Sequence, residues 1–290
     1  MSSEKLRKKA NYYAEAKQKG FRSYISSLIN LAIGCIIVFP IFYAFMGGFK
    51  NDAVFDQYPP TILPQSFAYL ENFNTVLFHS YIPRFMLNSL IIAGIGTLIR
   101  LIIGTMAAFS FSFFDYAGKK FLFFAVLGTM MIPGDALLIS NYLTVTHMHL
   151  RNTYMGIMIV YFVSATHIFM FRQNFMTISG SLREASMIDG CGSFRFYTQI
   201  CVPVSKPVIT SLGISSFVGL WNAYLWPLLV TDKPMMRTVQ VGITMLSFPE
   251  NPSKAPVFAG IAIILIPSIF IFLFFQRNLV RGITAGSVTG

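Results

Sequence analysis

The chain has 290 residues, of which 54% are apolar and only 11% charged. An ordinary soluble domain carries about 25% charged residues, so this surface cannot all face water. The 30 Phe, 21 Gly and 3 Cys exclude a disordered, collagen-like or disulfide-stapled chain. The net charge of +11 comes from 22 Lys+Arg against 11 Asp+Glu. In so apolar a chain that excess sets orientation and meets anionic headgroups. It is not a nucleic-acid signal, because no basic stretch interleaves with aromatics in a soluble fold.

Residues 1–22 form a basic lead-in. The segment is too long and too charged for a signal-peptide n-region, and no small-residue cleavage site follows the first apolar span. It suits either an amphipathic or partly disordered segment lying near anionic lipid or a purely topogenic charge cluster. A membrane domain over 23–276 is expected next. Crossing about 30 Å of hydrocarbon takes about 20 residues. Uncharged stretches at 23–49, 152–171, 207–231 and 255–276 meet that length, and 88–114 and 121–142 meet it with one charge each, Arg100 and Asp135. Accepting both gives six transmembrane helices and an all-α polytopic fold. With the N-terminus inside, the inner segments collect the bases of 5–22, Lys119, Lys120, Arg172, Arg183, Arg195, Lys206, Arg277 and Arg281. Only Lys50, Arg84, Arg151, Lys233, Arg237 and Lys254 fall outside. The bias toward positive inner loops therefore predicts cytoplasmic termini, a cytoplasmic loop at 176–206 and a cytoplasmic tail at 277–290.

Chemistry is sparse. There is no G-x-x-x-x-G-K-[ST] to cradle phosphates, no G-x-S-x-G and no H-E-x-x-H. Asp135 is the one carboxylate inside a span, and a single carboxylate cannot serve as both acid and base. Cys35 lies in the first span; Cys191 and Cys201 lie in an inner loop, where a reducing compartment disfavours a disulfide. His147 and His149 read as a polar loop pair. No catalytic residue, no metal site and no bound cofactor are expected.

The informative segment is 181–203, SLREASMIDGCGSFRFYTQICVP. Ser181 and Glu184 have the spacing of a capping box, and Gly190 suits a left-handed helix stop. A short helix over 182–189 would place Leu182, Ala185, Ser186 and Asp189 on one face, with Ala185 and Ser186 small enough for close approach. Ser193 would cap a second helix carrying Phe194, Phe196, Tyr197 and Ile200, ended by Pro203. The product is a largely uncharged helix-turn-helix elbow.

Glu184-Ala185-Ser186, three residues, Gly190, nine residues, Ile200, one residue and Val202-Pro203 resemble the E-A-A-x3-G-x9-I-x-L-P loop of ABC importer permeases. Ser186 replaces the second Ala and Val202 replaces Leu, both conservatively. The resemblance extends further, through Asn88-Ser89-Leu90, Met131-Ile132-Pro133-Gly134, 150–156 (LRNTYMG), 221–227 (WNAYLWP) and 279–290, toward the maltose-type G-subunit subfamily. It implies the type I permease fold and a coupling loop, with Glu184, Ala185, Ser186, Asp189, Gly190, Ile200 and Pro203 docking on an ATPase subunit. It also implies a homologous second permease, two ATP-binding subunits that use ATP and Mg, an extracytoplasmic solute-binding protein, and a sugar, oligosaccharide or glycerol phosphate as cargo in a bacterial or archaeal cell membrane.

A solute path needs polar groups at bilayer depth. Candidates are Arg100, Asp135, Asn141, His167, Trp221, Asn222 and Tyr224, since aromatic faces beside amides suit sugars. Trp221 and Trp226 equally suit interfacial anchoring; His167 and Asn141 equally suit hydrogen bonding between helices. Gly96 and Gly104 flank Arg100 at i±4, which turns it toward protein. Its two readings are an ion pair inside the bundle, for which Asp135 is the candidate, and attraction of an anionic solute. An ion-coupled secondary carrier is the competing class, although the internal repeats typical of such carriers are absent.

Overall fold

A computed structural model describes residues 26–244 and 254–285; the basic segment 1–22 and residues 286–290 of the tail lie outside them. Among the described residues every regular element is helical. Helix α1 spans Ser26–Gly47. Its Leu28, Leu31, Ile36 and Ile37 are 65–72% exposed, an apolar face that water would not tolerate and hydrocarbon would. After a 3-10 turn at Asp52–Asp56 come α2, Glu71–Phe78, and α3, Ile82–Phe113, of 32 residues. At 1.5 Å per residue α3 is about 48 Å long. It starts six residues before the expected span, because Pro83 fits its first turn, where no N–H is needed.

Three expected spans are not continuous helices. Span three is α4, Lys119–Thr129, and α5, Leu138–His147, joined through a 3-10 turn at Gly134–Leu137 and bent by 94°. Pro133 lacks the N–H that would carry the helix on. Span four is α6, Tyr154–Met158, with a 3-10 extension Ile159–Tyr161, then α7, Ala165–Phe175, bent by 50° where Ser164 is extended. Next come α8, Gly180–Ile188; α9, Ser193–Phe196; a π turn, Tyr197–Cys201; and α10, Val202–Val204. Helix α11, Lys206–Trp221, leaves this arm at 76°. Span five also stops early, at Asn222, before α12, Leu225–Val230. The short α13, Val239–Ile243, precedes α14, Lys254–Ala285, with Pro267 inside it.

Helix α3 is the axis of the bundle, packed along its length by α7 and α11 and near its start by α13. Around its first half Val76, Phe85, Ala93, Leu220, Trp221 and Ile263 form one core. Around its second half Phe109, Phe171, Phe175, Phe196 and Cys201 form another. The same end as Phe85 is tied by polar side chains. Asn88 is fully buried; its Nδ2 donates to the carbonyls of Met235 and Arg237, both at 2.9 Å, and its Oδ1 accepts from the Tyr154 hydroxyl at 2.7 Å. Ser89 Oγ accepts from the Val239 amide at 2.9 Å. Asn152, at φ 56°, accepts from the amides of Asp232 and Lys233 at 2.9 and 3.0 Å. Arg151 pairs with Asp232 at 3.0 Å. On the other side of this end, Asn72 Nδ2 donates to the carbonyls of Gly48 and Lys50 at 2.9 and 2.8 Å, and Asp52 Oδ1 accepts from the Ala255 amide at 2.7 Å, capping α14.

The glycine of LRNTYMG has a steric reason. A Cβ at Gly156 would run into the carbonyl of Leu150, part of the turn that Thr153 closes by accepting from the Gly156 amide at 3.0 Å. Backbone cannot give way as a side chain tip does. Gly156→Ala is expected to destabilise the protein by about 2–3 kcal/mol, read as a lower thermal unfolding midpoint of the detergent-purified protein.

Candidate functional site

The elbow forms, with different caps from those expected. Helix α8 starts at Gly180, and its N-cap is Ser179, which makes no side-chain capping bond. The Ser181–Glu184 capping box is therefore not formed: the helix begins two residues too early for Ser181 to cap it, and the Ser181 hydroxyl turns to Ser179 Oγ at 3.3 Å. The stop at Gly190 is as expected. At φ 72°, Gly190 donates its amide to Met187 O at 3.0 Å, and Cys191 donates to Ser186 O at 2.9 Å, the two bonds of a Schellman close. Ser193 is not a cap either; Gly192 takes that place and Ser193 opens α9. Nor does Pro203 end the arm. The preceding π turn widens the backbone, and α10 runs through Pro203 to Val204.

The elbow is anchored on one side and open on the other. Phe196 and Cys201 are buried. Phe196 meets Phe113 edge-to-face at 5.3 Å, and Ile200 packs partly against the same core. The Tyr197 and Thr105 hydroxyls lie 2.8 Å apart, linking the π turn to α3. Ser186 is buried, and its hydroxyl donates to Arg183 O at 2.6 Å. Glu184, Ala185, Asp189 and Pro203 are exposed, and beside them Met187, Ile188 and Phe194 are 58%, 87% and 73% exposed. The outward surface is thus a small-residue step ringed by large apolar side chains, a surface built for contact.

Burial pushes the Cys201 thiol up to about 12, against a small opposing pull from Arg183. A thiol held neutral in the fold and freer to ionise when unfolded adds stability below its ordinary range. That contribution fades as pH rises toward 12. Cys201 should therefore resist maleimide up to pH 9 while the half-buried Cys191 reacts, with both labelled after denaturation. Mass spectrometry reads the outcome.

At bilayer depth the candidates separate. Arg100, half-buried on α3, donates from Nε to Tyr161 O at 2.6 Å and from Nη1 to Ser216 Oγ at 2.9 Å, with its guanidinium 5.8 Å from the Tyr161 ring centre. Ser216 Oγ lies 3.3 Å from His167 Nε2, and His167 Nδ1 lies 2.9 Å from Ser164 Oγ. His167 Nε2 also lies 3.4 Å from the Leu212 carbonyl on α11. His167 thus bridges α7 and α11. The expected ion pair with Asp135 is not formed. Asp135 lies exposed in the 3-10 turn at the break of span three, and neutral oxygens take its place beside Arg100. Tyr161, Ser164 and Ser216 carried no signal in the sequence; only folding brings them to Arg100.

The remaining candidates are scattered. Asn141 is half-buried on α5. Trp221 is buried against Phe217, stacked at 6.2 Å. Trp226 is also buried and donates from Nε1 to Ile157 O at 3.1 Å. Both tryptophans are therefore core residues, which overturns the reading of them as interfacial anchors. Asn222 and Tyr224 are exposed at the break after α11, where Asn222 Oδ1 accepts from Gln240 Nε2 at 3.2 Å.

Comparison with known proteins places this architecture. Residues 19–285 match the family described as "Binding-protein-dependent transport system inner membrane component". The sn-glycerol-3-phosphate transport system permease protein UgpE of Brucella melitensis is 32% identical over 277 residues, 92% of this chain and 98% of that protein. The arabinooligosaccharides transport system permease protein AraQ of Bacillus subtilis is 27% identical over 271 residues, 91% of this chain and 95% of that protein. A chain from the crystal structure of a bacterial ABC transporter for the acidic polysaccharide alginate superposes with a TM-score of 0.78 at 19% identity, covering 90% of this chain and 97% of that one. A second, from the alginate transporter in complex with its pentasaccharide-bound periplasmic protein, gives 0.62 at 15% identity, with 91% and 97% covered. The helical bundle with its protruding elbow is therefore that of an importer permease, and the chain belongs to the family of inner membrane components of binding-protein-dependent transport systems.

Proposed function

We propose that this chain is one of two homologous permeases in an ATP-driven importer of a sugar, oligosaccharide or related polyol phosphate. On this reading it crosses the membrane six times: α1, α3, the bent pairs of spans three and four, α11 with α12, and α14. Both termini and the elbow face the cytoplasm. Two ATP-binding subunits hold ATP and Mg, and one of them docks on the outward surface of α8 and α9; the chain itself hydrolyses nothing and binds no cofactor. A solute-binding protein delivers cargo on the opposite side, at the end tied by Asn88 and Asn152.

The observation that carries this reading is the elbow. Its inward side is fixed to α3 through Phe113, Phe196 and the Tyr197–Thr105 hydroxyl pair, while its outward side presents Ala185, Met187, Ile188 and Phe194. A lever so mounted moves α3 and α11 when its partner moves, the rigid-body coupling that alternating access requires. The names of the relatives supply the cargo class: a glycerol phosphate for one and arabino-oligosaccharides for the other. The test is uptake by the purified complex in proteoliposomes with its binding protein, using labelled arabinotriose and sn-glycerol 3-phosphate. Uptake of one of them should require ATP and survive collapse of the proton gradient; uptake driven by that gradient without ATP would make the protein a secondary carrier.

A further inference from the structure

Arg100 is held by two neutral groups, and its charge meets no carboxylate among the described residues. A guanidinium has five N–H donors, and two are used. The other three find no acceptor among the described residues, and Nη2, which makes no bond among them, is absent from the chain's sealed, partnerless polar atoms; that corner of the guanidinium opens outward from a half-buried side chain. The hydroxyl of Tyr161 has the same character, half-buried, open and without a described partner. Its ring lies beside the guanidinium. Both groups sit at the break between α6 and α7, where irregular backbone is tolerated at membrane depth only inside protein or along a water-filled cavity. Hydrocarbon would not leave a guanidinium so placed unpaired.

Resting on the assignment as an importer permease, we infer that Arg100 and Tyr161 form an anion subsite on the solute path, taking the carboxylate or phosphate of an acidic sugar or sugar phosphate. The fork of N–H groups matches an anionic oxygen pair, and the phenol offers an aromatic face and a donor to the adjoining sugar. Ser216, held by His167 from the other side, fixes the guanidinium so that its open edge keeps one direction.

The test is calorimetric binding to the assembled complex in nanodiscs, without its binding protein, of trigalacturonate, sn-glycerol 3-phosphate and neutral maltotriose. Wild type should bind one of the acidic probes at least tenfold more tightly than maltotriose, and whichever acid binds identifies carboxylate or phosphate. Arg100→Gln should lose that preference, acid binding falling by a much larger factor than maltotriose binding; Arg100→Lys should keep part of it. Tyr161→Phe, which leaves the Tyr161 carbonyl to hold Arg100, should weaken acid binding several-fold. No acid preference in wild type, or equal loss of acid and neutral binding in Arg100→Gln, would overturn the subsite and make Arg100 a strut or the partner of a carboxylate on the second permease. Copurification of ATP-binding subunits with the wild-type chain reads the importer assignment separately.

Discussion

Gly190→Val in the assembled transporter should leave the protein in the membrane at its usual level and cut solute uptake at least tenfold. Space is not the reason, since a Cβ at Gly190 meets nothing within 4 Å. The backbone is the reason: at φ 72° an L-residue costs about 1–2 kcal/mol, and a β-branched one more. The cheapest relief is to unwind the close of α8 and re-aim Ala185, Met187 and Ile188, the surface on which docking is proposed. Gly190→Asn is the control, because asparagine tolerates the left-handed region, and it should retain most of the uptake. Glu184→Lys should act by another route, reversing charge on an exposed docking residue without altering the helix. If Gly190→Val transported at the wild-type rate, the elbow would not be the point of drive.

Asn88→Ala should have the largest effect on folding. The side chain satisfies two carbonyls of one turn and one hydroxyl from a second segment, and it is fully buried. Removing it strips the donor from the turn at 235–237 and the acceptor from Tyr154. Unmet buried groups cost about 1–3 kcal/mol each, and the three share one network, so about 3–5 kcal/mol is expected in all. Size-exclusion chromatography should show loss of monodisperse protein, with a lower unfolding midpoint for what remains. Asn88→Asp should be nearly as harmful, because a carboxylate cannot donate to the two carbonyls. Tyr154→Phe removes only one of the three bonds and should cost far less.

The sequence foretold the long elements because length and apolar content suffice for them: α1, α3 and α14 cover most of the expected stretches 23–49, 88–114 and 255–276. Gly190 was equally legible, since one residue type favours one backbone region. The break at Pro133 could be foreseen as a loosening, though not as a 94° bend. The break at 162–164 could not, because Phe162-Val163-Ser164 contains neither proline nor glycine. What interrupts the helix there is tertiary: Arg100 takes the Tyr161 carbonyl. For the same reason the partners of Arg100 were unreadable. By charge type its counterpart within the spans is Asp135, whereas folding supplies a backbone carbonyl and a serine 116 positions away. The tryptophans misled because a ring with one polar atom suits an interface and a core alike; Trp226 satisfies that atom on Ile157 O inside the protein. The Asn88 and LRNTYMG motifs stood out as patterns, and only the structure explains them, as a set of side-chain bonds to backbone from the segment at 230–239.

The central claim is that the elbow is gripped by an ATP-hydrolysing subunit. A photo-reactive phenylalanine at position 185, on the exposed step of α8, tests it in membranes of cells actively transporting solute. Illumination should join this chain to a nucleotide-binding polypeptide, with a yield that changes when vanadate traps the ATPase, while the same group at position 67, near the opposite end, should capture none. An illuminated, transport-competent membrane in which position 185 joins only lipid or no polypeptide at all would contradict the account.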